Sequence, residues 1–176
     1  MTTAAERMTA IPDGRPPPRL HLQSRLSRRA LLDGGWWPRS TDPVAELPQL
    51  ILALNKDHSP VRRVLLGPSE WDSHPLRISV AGRVRFVWYT AQPAGQLFAL
   101  RADGDRVDLL VVPPDTDPAI ARAAMALAAQ PANTVHAPDI LTAVAAVAAV
   151  TAVTAGQPPP TETAAETSWE AEGGHL

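Results

Sequence analysis

The stretch VRRVLLGPSEWDSHPLRISVAGRVRFVWYTAQPAGQLFALRADGDRVDLLVV, residues 61–112, decides the fold. It divides into five runs in which apolar and polar residues tend to alternate: Val61–Leu66, Leu76–Val80, Arg83–Thr90, Gln96–Arg101 and Arg106–Val112. A period of two marks strands with one buried and one wet face. In the third run Val84, Phe86 and Trp88 point one way, and Arg83, Arg85, Val87 and Tyr89 point the other. So many strands in so short a span leave no room for crossover helices. The expected sheet is therefore an antiparallel meander, with turns at Ala81-Gly82 and Asp103-Gly104.

Upstream, Leu20, Leu22 and Leu26 alternate with Arg19, His21, Gln23 and Arg25, which adds one more strand. Asp33-Gly34-Gly35 predicts a turn, because paired glycines permit positive φ. Asp42-Pro43 predicts a capped helix start. The helix runs to about Asn55 and carries Leu47, Leu50, Ile51 and Leu54 on one stripe, with Pro48 kinking it or tightening its first turn. Downstream, Asp117-Pro118 opens a helix to about Gln130. Ala137-Pro138-Asp139 opens a last one with Ile140, Val144 and Val147 on a small-residue stripe. The whole predicts an α+β fold, an antiparallel sheet of about six strands with three helices packed mainly on one face. Residues 19–152 form the expected single domain. Residues 1–18, ending in three prolines, and residues 153–176, rich in Thr, Glu and Ala, are expected to be disordered tails.

The chain has 176 residues, 45% of them hydrophobic, which suffices for one real core. It contains no cysteine, which excludes disulfides, thiolate metal sites and a thiol nucleophile, and suits a reducing cytoplasm. The first eighteen residues lack the apolar run of a signal peptide. Ala143–Ala155 is too short and too interrupted by threonine to be read as a membrane span. Net charge is −2, but the acid is concentrated beyond the domain: residues 155–176 carry Glu162, Glu166, Glu170 and Glu172 with no Lys or Arg. Trp169 is the lone aromatic there, a candidate short linear contact.

Three segments, LLDGGWWPRSTDPVAELPQL (31–50), GRVRFVWY (82–89) and LLVVPPDTDPAIARAAM (109–125), together resemble an uncharacterised actinobacterial family of unknown function. The resemblance spans roughly residues 19–150. It implies one domain and a cytosolic setting, and carries no activity, ligand or catalytic residue.

The densest chemistry lies between Asp33 and Glu46. Trp36 and Trp37 offer indole faces for a planar or sugar-like ligand, Arg39 offers a fork for a carboxylate or phosphate, and Trp71 is a possible third aromatic. The plainer reading makes one indole a core anchor and lets Arg39 lock the turn to Asp33 or Glu46. Adjacent residues on an extended segment point opposite ways, which disfavours a shared cavity. The expected function is a non-enzymatic binding or protein-interaction module using Trp36, Trp37, Arg39, Asp33, Glu46 and Trp71, with a protein partner or small ligand. The alternative is a small enzyme or small-ligand binder with Asp33 or Glu46 as acid/base beside the aromatic wall. The five histidines are dispersed, without metal-ligand spacing. No phosphate-binding glycine motif and no nucleophile elbow occurs, so no metal, cofactor or catalytic residue is assigned. Arg19, His21, Arg25, Arg28, Arg29, Arg83, Arg85 and Arg101 would make a basic sheet face if their strands were neighbours. A solvated face is favoured over nucleic-acid binding, because the domain's excess of base is slight.

Overall fold

The computed structural model describes residues 14–24 and 29–156. Seven strands form one sheet: β1 (Arg19–Leu22), β2 (Gly34–Trp37), β3 (Val61–Leu66), β4 (Arg77–Ser79), β5 (Arg83–Trp88), β6 (Gln96–Arg101) and β7 (Arg106–Val111). Helix α1 (Pro43–Asn55) joins β2 to β3, while α2 (Pro118–Ala128) and α3 (Ala137–Ala155) follow β7. The fold is α+β, but the sheet is mixed rather than a meander. Its order is β1-β2-β7-β6-β3-β5-β4, with β2–β7 and β3–β5 parallel and the other neighbours antiparallel.

The reversals read from the sequence are real, since each strand from β4 to β7 runs opposite to the one before it. What fails is the assumption that consecutive strands are neighbours. The connection over residues 67–76 carries the chain outward past the place beside β3. The β4–β5 hairpin then returns with β5 parallel to β3, and β6 takes the opposite side of β3.

The helices also divide between the two faces instead of gathering on one. On one face Leu47, Leu50, Ile51 and Leu54 of α1 pack over Trp36, Val64, Phe86, Leu97 and Leu109. On the other, Ala121, Ala124 and Ala128 of α2 and Ile140 of α3 cover Trp37, Leu110 and Val112. Leu109 to Val112 are consecutive and all buried, the pattern of a strand covered on both sides. The helix starts are as read. The Asp42 carboxylate accepts from the Val44 N–H at 2.9 Å, and that of Asp117 accepts from Ala119 at 2.8 Å and Ile120 at 3.3 Å. Pro48 lies within α1, which is continuous across it.

One local expectation changes. Asp33-Gly34-Gly35 is not a turn, because Gly34 and Gly35 are the first half of β2. These glycines serve close approach, not positive φ: a Cβ on Gly34 would lie 2.2 Å from the His21 carbonyl oxygen, and one on Gly35 would lie 2.7 Å from Met125 Cα. Residues 14–18 are held against α1, with Arg15 donating to the Ala45 carbonyl and Arg39 donating to the Pro17 carbonyl at 3.1 Å. Residues 153–155 are the end of α3. The remainder of both expected tails, together with Arg25, Leu26 and Arg28, lies outside the described residues.

Only the start of α3 is packed: Ala137 and Ile140 are buried, whereas Val147, Val150 and Val153 are 67–73% exposed. By length and composition this helix is long and apolar enough to cross a membrane, which the shorter stretch read from the sequence was not.

Gly35→Ala is expected to cost roughly 2–3 kcal/mol or more in urea unfolding, because the new methyl meets helix backbone. Met125→Ala in the same chain should fail to restore it, since the nearest obstructing atom is Cα.

Candidate functional site

The segment Asp33–Glu46 is built into the frame. Trp36 is 1% exposed and Trp37 7%, and strand alternation sends them to opposite faces. Trp36 stacks on Trp71 with ring centroids 5.7 Å apart and planes 18° apart. Two bonds hold the Trp71 loop against the start of α1: the Asp72 N–H donates to the Thr41 carbonyl at 3.0 Å, and the Thr41 hydroxyl donates to the Asp72 carboxylate at 2.6 Å. Trp37 donates from Nε1 to the Pro113 carbonyl at 3.1 Å, and the Arg19 guanidinium lies 3.5 Å above its ring. Arg39 is exposed, and its backbone N–H donates to Glu46 at 3.1 Å, as does the Ser40 hydroxyl at 2.9 Å. No hydrogen bond or ion pair among the described residues joins Asp33 to Glu46 or to either indole. Of the six residues singled out by sequence, the structure brings Trp36 to Trp71 and Arg39 to Glu46, but gathers no exposed patch containing both tryptophans.

A different group is assembled on the open half of the sheet. Beyond β7, no described helix covers the face that carries α2 and α3. Register places Arg77 beside Arg85, Arg85 beside Arg63, Arg63 beside Leu100 and Leu100 beside Arg106. One rung across five strands thus holds four arginines. The next rung runs Val87, Leu65, Phe98, Asp108. Arg63, Arg77 and Arg85 are exposed, while Leu65, Val87, Phe98 and Leu100 are half-buried. Among the described residues only Arg106 of this rung has a counter-ion, binding Asp108 through two nitrogens at 2.7 and 2.8 Å and lying 4.8 Å from the Phe98 ring centre. Arg63, Arg77 and Arg85 make no hydrogen bond or ion pair among the described residues. Neighbouring strands lie about 4.8 Å apart, so these like charges repel across each strand pair.

The basic face grouped from sequence does not form. Arg19 and His21 lie on β1, separated from Arg83 and Arg85 on β5 by four strands in the sheet order. Arg101 is buried and donates to the Ser59 carbonyl at 3.3 Å. Arg63 and Arg77 were missed, although each stands at an outward position of its own run, because strand order is needed to set them beside Arg85.

A family model for a family of unknown function matches residues 19–128, from the first residue of β1 to the last of α2. The chain belongs to DUF5994. No curated protein and no solved structure matches it. The DUF5994 region therefore contains the whole sheet, including both rungs, while α3 and residues 129–176 lie beyond the match. Among the described residues no group of three or more His, Asp or Glu is placed to hold a metal ion.

The titratable centre of this DUF5994 domain is the contact between Asp33 and β7. The Asp33 carboxylate accepts from the Asp108 backbone N–H at 2.8 Å, and the Asp33 N–H donates to the Asp108 carbonyl at 2.7 Å. Burial pushes the Asp33 carboxyl above the ordinary carboxylate range, against the pull of the Asp108 N–H, Arg106 and Arg101. Burial likewise raises Asp108, with Arg106 pulling it back and Asp33 adding to the rise. Glu70, which accepts from the Gly95 N–H at 2.6 Å, is raised by burial as well, against the pull of that N–H. A carboxyl raised in the folded state holds its proton longer there than in the unfolded chain. Its contribution therefore weakens the fold as pH rises from the unfolded value through the folded one. Asp33→Asn keeps an acceptor for the Asp108 N–H and removes the charge. Its stability at about pH 7 should equal or exceed that of the wild type by about 1 kcal/mol. Its change in stability on moving down to about pH 4, the ordinary carboxylate range, should lack the gain that the raised Asp33 carboxyl gives the wild type, as read in urea titrations at the two pH values.

Proposed function

We propose that this chain is a non-enzymatic, cytosolic binding module that receives an acidic peptide segment carrying apolar side chains on the open half of its sheet. The supporting observation is the rung Arg77, Arg85, Arg63, three exposed cations in register without a counter-ion among the described residues, beside the half-buried Val87, Leu65 and Phe98. Like charges opposite one another on a sheet destabilise it by about 0.2–1 kcal/mol per pair, and a carboxylate-bearing partner reverses the sign of that interaction. Leu65, Val87 and Leu100 give the same partner apolar surface to cover.

Two features favour a peptide over nucleic acid. The Phe98 ring is already occupied by Arg106, which competes with a stacked base, and the domain as a whole has only a slight excess of base. A binding role also fits the carboxyls that acid/base chemistry would need. Asp108 is committed to Arg106, Asp33 to a backbone N–H, Glu46 to Arg39 and Ser40, and Glu70 to Gly95.

Fluorescence anisotropy of labelled (Glu-Val)6, with (Lys-Val)6 and an oligothymidine twelve-mer as comparisons, tests this on the full chain. The expected result is salt-sensitive binding of (Glu-Val)6 alone. Arg85→Thr should weaken it about tenfold, as loss of one charged hydrogen bond does. The same substitution should raise unfolding stability by about 0.5–1 kcal/mol, because it removes two repulsive neighbours. Preferential binding of the oligothymidine would replace the peptide with single-stranded nucleic acid, and equal binding of (Lys-Val)6 would refute the reading.

A further inference from the structure

We infer that the acidic segment following α3, residues 157–176, docks on the arginine rung of its own chain and competes there with the outside partner; this rests on the binding role proposed for that face. The segment has the chemistry the face asks for. It carries Glu162, Glu166, Glu170 and Glu172, no Lys or Arg, and Trp169 as an apolar anchor among the last two pairs of acids. The helix that leads into it also starts on the correct side, since Ile140 of α3 packs with α2 over Trp37 and Leu110, on the face of the sheet to which Arg63, Arg77 and Arg85 point.

Reach is sufficient. The nineteen-residue α3 is about 28 Å long. Glu166 to Glu172 stand eleven to seventeen residues beyond Ala155, an extended span of roughly 35–55 Å, so the acids can return past the full length of the helix to the sheet. Tethering holds the segment at an effective concentration in the millimolar range, so even a weak contact is substantially occupied. The four acids beyond the domain and the three arginines on the sheet face are then opposite in sign and complementary. The segment lies outside residues 19–128, which the family model matches.

The test compares the full chain with a full chain carrying Glu162→Gln, Glu166→Gln, Glu170→Gln and Glu172→Gln. Side-chain Nε–Hε resonances of Arg63, Arg77 and Arg85 read self-docking directly, and they should differ between the two chains at low salt and converge at high salt. Affinity for labelled (Glu-Val)6 should rise about tenfold or more in the four-glutamine chain, with the difference also vanishing at high salt. Arginine resonances that coincide at low salt would overturn the self-docking inference while leaving the binding role to its own test. Shifted resonances with no (Glu-Val)6 binding to either chain would keep self-docking and remove the outside peptide partner.

Discussion

Strand β2 is gripped from both sides, and the rest of the molecule is arranged around that grip. Four residues long, it sends Trp36 into the core under α1 and Trp37 into the core under α2 and α3. Its glycines let β1 and α2 approach closer than any side chain would allow. One short strand thus ties the two cores, as Leu109 and Leu110 do again on β7. Because β2 lies parallel to β7, and β7 is buried on both faces, the grip extends into the centre of the sheet. Asp33 extends it further with a reciprocal pair of bonds to Asp108, at the cost of a carboxyl held away from water.

This construction leaves one half of the sheet differently covered from the other. The half around β2 and β7 has helices on both faces. The half around β3, β5 and β4 has α1-side core on one face and side chains facing solvent on the other. The proposed binding surface lies there because nothing within the described fold finishes that face, and among the described residues Arg63, Arg77 and Arg85 face one another rather than a carboxylate. Arg106 marks the border, since it alone of the rung finds its acid, Asp108, within the same strand.

What could be read from sequence was what is local. Asp42-Pro43 with Leu47, Leu50, Ile51 and Leu54 specifies a capped amphipathic helix without reference to anything else, and Asp117-Pro118 does the same. The alternation in residues 83–88 correctly separated Val84 and Phe86 from Arg83 and Arg85. Neighbour relations were not readable, because a strand's period names its faces but not its partners, and the long link after Leu66 permits more than one pairing. The glycine pair before Trp36 misled for a related reason. Freedom to take positive φ and absence of a Cβ are the same chemical fact, and only a nearby backbone reveals which is being used. The tryptophan pair looked like a site because its residues are rare and adjacent, yet adjacency on a strand is what sends them apart. Of the arginine rung only Arg85 stands in the basic grouping read from sequence, because its members are far apart in the chain and ordinary one by one.

The outer part of α3 has a consequence of its own. Its valines at 144, 147, 150 and 153 recur every third residue, and each step falls about 60° short of a full turn of an α-helix. The row therefore spirals half-way around the rod instead of forming a seam. A flat surface can touch one or two of these methyl clusters at a time but never all four, so a projecting rod of alanine and valine shows a little grease in every direction and a continuous strip in none.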